Sequence, residues 1–93
     1  MIKVIKRDGS QENFEPEKIR KAVIMAAKEA GVPEQEIEEL AQKIVSSIER
    51  FANLVQHLRI EAIREKILAE LDKMKPQVAA AWRDYDKRVK NRD

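Results

Sequence analysis

Apolar residues recur at every third or fourth position along most of this chain, and that spacing predicts four helices. The first covers about 16–30, with Ile19, Ala22, Val23, Ala26, Ala27 and Ala30 on one stripe. Pro16 suits its first position, where the missing N–H would have no partner anyway. Gly31, with Pro33 just beyond, suits its stop. The second covers about 34–56 and has the cleanest stripe: Ile37, Leu40, Ala41, Ile44, Val45 and Ile48. The third, about 60–74, aligns Ile60, Ile63, Ile67, Leu68 and Leu71, and ends at Lys75 because a residue before proline disfavours helix. The fourth, about 76–90, presents Val78, Ala81, Trp82, Tyr85 and Val89. Ahead of the helices, about 2–14 reads as a hairpin turned by Asp8-Gly9, taken as a two-residue loop. That register puts Ile5 on one side with Lys3, Arg7, Glu12 and Phe14, and Ile2, Val4 and Lys6 on the other. A lone hairpin is not stable in water, so it must pack on helices. The predicted class is α+β, mostly α: an N-terminal hairpin on a four-helix bundle, one domain over residues 1–93.

Composition refines this reading through charge. The 93 residues are 43% hydrophobic, enough for one modest core. They are also 39% charged, yet the net charge is only +2, so this is no polycation built for duplex DNA, and nucleic acid is not expected as a partner. The lack of cysteine excludes disulfides, thiolate zinc sites and a cysteine nucleophile. With no long apolar run and no signal-peptide pattern, a soluble cytoplasmic protein with no membrane partner is expected. No enzyme is read from the chain. His57 is its single histidine. Ser10, Ser46 and Ser47 lie in no nucleophile elbow, and Glu38-Glu39 fits a solvated helix face.

The cations hold the more specific signal. Lys6 and Arg7 come from the hairpin, and Lys18 and Lys21 from the first helix. Two accounts stand. One is solvated surface charge paired with Glu12, Glu15 and Glu17; the other is a bound polyanion. Gly9 stands alone, so there is neither a P-loop nor a dinucleotide fingerprint. Phosphate would then be held by side chains, Arg as a planar fork and Lys as a point charge. Trp82 and Tyr85 read as core anchors or, alternatively, as a stacking platform for bases.

The run Val4-Ile5-Lys6-Arg7-Asp8-Gly9, with Phe14 and Lys18-Ile19-Arg20-Lys21-Ala22 after it, resembles the ATP-cone domain. So does Val78-Ala79-Ala80-Ala81-Trp82-Arg83-Asp84-Tyr85 near the far end. That family occurs at the N-terminus of many ribonucleotide reductases and within the ribonucleotide reductase repressor. The resemblance implies a hairpin capping a four-helix bundle, and a regulatory ligand, ATP or dATP, with Mg²⁺ softening its charge. It implies that Lys6 and Arg7 hold the triphosphate and that Lys18 reaches phosphate. Glu12 and Glu15 would lie near the base or sugar, Val4 and Ile19 against the base, and Arg88 or Lys90 would complete the phosphate site. The chain departs from the family at Ile60, where a small hydroxyl residue is usual, and at Arg64, where His is usual. With no zinc ribbon and no reductase body, a free-standing cone is expected. It would sense adenine nucleotides and modulate its own oligomerisation or a partner enzyme or regulator. The alternative is a helical protein–protein or nucleic-acid module that keeps the fold without the ligand.

Overall fold

The computed structural model describes residues 2–90, apart from the side chains of Asp86, Arg88, Val89 and Lys90. Strands β1 (Lys3–Ile5) and β2 (Gln11–Asn13) are followed by helices α1 (Pro16–Glu29) and α2 (Glu34–Leu54). A strand β3 (Leu58–Arg59) then leads into α3 (Ile60–Met74) and α4 (Pro76–Lys90). The class is α+β, mostly α, as the hydrophobic spacing predicts.

Local chemistry sets the helix ends. Glu15 is extended (φ −120°, ψ 97°), and Pro16 opens α1 behind it. At the other end Gly31 takes φ 78°. Its N–H donates to the Lys28 carbonyl at 3.1 Å, and the Val32 N–H donates to Ala27 at 3.0 Å. This paired pattern needs a left-handed residue, which glycine supplies without a Cβ clash. Val32 and Ala27 are both buried, so an apolar contact closes the same turn. The end of α2 has no such glycine; the chain simply becomes extended at Val55 (ψ 148°). The helix therefore stops at Leu54, two residues short of the predicted end.

The helices pack as a ring: α1 against α2 and α4, and α3 against α2 and α4. Val23, Ile44, Ile48, Ile67, Leu71 and Val78 are fully buried, at least one from each helix. Burying each such side chain is worth about 1.5–3 kcal/mol against leaving it in water. Ala26, Ala27 and Ala79 are buried as well, small side chains that let α1 and α4 approach closely. Trp82 packs half-buried against the core, whereas Tyr85 is half exposed.

The sheet differs from expectation in two ways. It has three strands in the order β2-β1-β3, with β3 running parallel to β1. The hairpin loop also has three residues. The Lys6 N–H donates to the Ser10 carbonyl at 2.8 Å, and the Gly9 N–H to the Lys6 carbonyl at 3.0 Å. Arg7-Asp8-Gly9 is thus a turn ending in a glycine at φ 86°, the three-residue alternative to the paired-glycine turn. One extra residue flips the facing of β2. Val4 now pairs with Glu12, and Ile5 with Gln11. Val4 and Glu12 therefore share a face, whereas the two-residue loop put them on opposite faces.

Candidate functional site

The central strand determines the site. Val4 is only 3% exposed, beneath the sheet. Its parallel neighbour Leu58 is buried beside it. Two residues after Val4, on the same face if alternation continues past the strand end, Lys6 emerges into solvent just beyond Ile5. Arg7 follows as the first residue of the turn, where strand alternation no longer applies. Adjacent cations can thus lie near one another only because the second has left the strand.

Asp8, the acid closest to them in the chain, is engaged by Ser10, and the Lys6 charge acts on it only as a smaller influence. Its Oδ1 accepts from the Ser10 amide at 2.9 Å and from the Ser10 hydroxyl at 2.6 Å. The hydroxyl, then the amide, hold the Asp8 carboxyl below its ordinary range.

A second set forms where β2 meets α1. Lys18 lies 3.0 Å from Glu15, one helical turn apart. The Glu15 hydrogen bond first, then the charges of Glu15 and Glu12, push the Lys18 ammonium upward. Glu12, Glu15 and Lys18 are therefore one electrostatic group. Ile19 packs half-buried on the core beside them. An open hollow of ≈ 480 Å³ adjoins this group, lined by Phe14, Glu15, Pro16, Glu17, Lys18 and Lys21.

A third set was not foreseen. The β3 strand brings Arg59 alongside Ile5 and starts α3 next to the turn. Glu61 then stands between two guanidinium groups, Oε1 4.0 Å from Arg7 Nε and Oε2 3.9 Å from Arg59 Nε. Sequence could not reveal this. Two residues show no alternation, and a parallel pairing made 54 positions away leaves no local mark.

The predicted residues thus fall into separate clusters around the central strand. Glu12, Glu15 and Lys18 lie on one side, and Arg7 on the other with Arg59 and Glu61. Lys6 follows the strand between them, just beyond Ile5. Arg7 and Lys18 do not stand as bare charges; each has a carboxylate nearby. These pairs are solvent-exposed and therefore weak. The side chains of Arg88 and Lys90 lie outside the described residues. Among the described residues, no three His, Asp or Glu side chains converge as a metal site, and no helix is long and apolar enough to cross a membrane.

A family model described as the ATP cone domain matches residues 2–91. The transcriptional repressor NrdR of Neorickettsia sennetsu is 37% identical over 75 residues, covering 78% of this chain and 50% of that protein. The transcriptional repressor NrdR of Rhodopirellula baltica is 29% identical over 89 residues, covering 91% of this chain and 56% of that protein. The chain spans about half the length of the curated relatives it matches.

Proposed function

The chain belongs to the ATP cone domain family, and we propose that it is a regulatory module that binds ATP or dATP at the turn end of its sheet. The observation that carries this reading is the family match over residues 2–91, which takes in the whole cation-bearing hairpin and α1. Bound nucleotide would supply negative charge and a purine face.

The donor set fits a polyphosphate. Lys6 and Arg7 are exposed, and the nearby acid Asp8 is engaged by Ser10. Lys6 and Arg7 hold the triphosphate, and Lys18 exchanges Glu15 for phosphate. Glu12 and Glu15 face base or sugar hydroxyls, and Ile19 supplies apolar contact. Val4 is buried, so it supports the base-facing surface from below. Family resemblance adds Arg88 or Lys90, whose side chains lie outside the described residues, to the phosphate site. Mg²⁺ would come with the nucleotide and soften its charge; among the described residues no three acidic or His side chains converge as a metal site.

The signal passes to an assembly partner, a second copy or a regulator. The two relatives named as transcriptional repressors support transcription as the controlled process. They give no support to the expectation that nucleic acid is not among the partners. No catalytic step is assigned to the chain.

Isothermal titration with ATP, dATP and AMP tests the reading. Saturable ATP or dATP binding is expected, with AMP much weaker. Lys6→Ala with Arg7→Ala should cost at least about tenfold in ATP affinity while leaving the thermal transition in place. Equal binding of ATP and an unrelated polyanion would reduce the site to generic surface charge.

A further inference from the structure

Glu61 stands between two guanidinium groups. Its two oxygens lie 4.0 Å from Arg7 Nε and 3.9 Å from Arg59 Nε. Both distances are too long for hydrogen bonds. Oε2 is buried all the same, and it has no hydrogen-bond partner. A buried acceptor without a donor is unfavourable. Charge alone, with poor geometry, therefore keeps this carboxylate where it is. The guanidinium groups it joins belong to different segments: Arg7 to the hairpin turn, and Arg59 to the strand that opens α3.

Resting on the nucleotide-sensing reading, we propose that Glu61 is a built-in competitor of the triphosphate. Without nucleotide it neutralises Arg7. When phosphate takes Arg7, Glu61 moves to Arg59 alone. Arg59 is thus a positioning residue, the alternative seat that lets the acid leave. The weakness of both pairs serves this role. The side chains of Arg7, Arg59 and Glu61 are 62%, 59% and 40% exposed, so each pair is readily exchanged. A tight buried pair would shut the site. The exchange also ties occupancy of the turn to the junction of β3 and α3, because Glu61 lies in the first turn of that helix.

Calorimetric titration of ATP into the full chain, wild type and three variants, tests this. Glu61→Gln keeps the shape and removes the competing charge; it should tighten ATP binding about two- to fivefold. Arg59→Ala should weaken binding in the wild-type background, because the acid falls back on Arg7. In the Glu61→Gln background the same change should have no effect. Melting curves without nucleotide check that each variant is folded. Weaker or unchanged binding in Glu61→Gln overturns the proposal, since the acid then contacts ligand or only shapes the helix start. An Arg59→Ala loss of equal size in both backgrounds also overturns it, by making Arg59 a direct phosphate contact. A wild type that binds no ATP removes the sensing function itself. A wild type that binds normally beside variants that break the pattern removes only the competitor.

Discussion

Glu70 is held by two neighbours. The Ser47 hydroxyl donates to its Oε1 at 3.0 Å, and Lys66 lies 3.2 Å from the same atom. The hydroxyl first, then the ammonium, hold the Glu70 carboxyl below its ordinary value of 4.5. Asp8 is lowered by Ser10, and Asp72 by the Arg83 guanidinium that grips it at 3.1 and 2.8 Å. All three shifts have the same sign. Below about 4.5 the unfolded chain takes up protons that the folded chain still refuses. Their stabilisation is therefore complete above the ordinary carboxylate range and is lost as pH falls through the depressed folded values. The urea midpoint should drop across that acid window. Ser47 is only 9% exposed, so Glu70→Ala should cost about 1–2 kcal/mol at neutral pH by stranding the hydroxyl. That deficit should shrink in acid as wild-type Glu70 takes up its proton. A deficit independent of pH would mean that the contact does not depend on the carboxylate charge.

Among the elements, the two turns test how local sequence sets backbone shape. Gly9 and Gly31 both have positive φ, and a Cβ built on either meets nothing within 4 Å. The cost of Gly31→Ala is then conformational strain alone, about 1 kcal/mol, with ATP affinity unchanged. Gly9→Ala should cost a similar amount in stability and also lower ATP affinity, because its turn places Arg7. Equal affinities for the two variants would detach the turn from the ligand. The α1 stop was legible in the sequence because Gly31 and Pro33 allow a single reading. The hairpin was not, because Asp-Gly serves both a two-residue and a three-residue loop, each ending on a left-handed glycine. That ambiguity of one residue misassigned the faces of Glu12 and Phe14 relative to Val4. The four amphipathic stripes needed no such choice, and their helices match within two residues. The candidate site was legible only where it is local: Lys6, Arg7, Glu15 and Lys18 all lie on the hairpin or the first turn of α1. Arg59 and Glu61 enter through β3, whose pairing with β1 is purely tertiary.

At the scale of the whole molecule, the clusters belong to segments that are far apart in the chain. The turn and the β3–α3 junction come together on one side, and the start of α1 is placed on the other, because β1 lies between β2 and β3. A ligand bridging them would lock their relative positions, and it can shift an assembly only by the difference in its affinity for the two assembly states. That linkage is reciprocal. If ATP raises the mass of the protein in solution, concentrating the protein must tighten ATP binding by the same free energy. If ATP lowers the mass, concentrating the protein must weaken it. Titrations of ATP at low and high protein concentration, beside sedimentation with and without nucleotide, read both sides of the cycle. The expected outcome is an ATP affinity that depends on protein concentration, in the direction given by the mass change. An affinity and a mass both indifferent to concentration and nucleotide would take self-assembly out of the mechanism. The signal would then have to pass from the β3–α3 junction to a different protein, where titrations with and without that partner should show the same reciprocity.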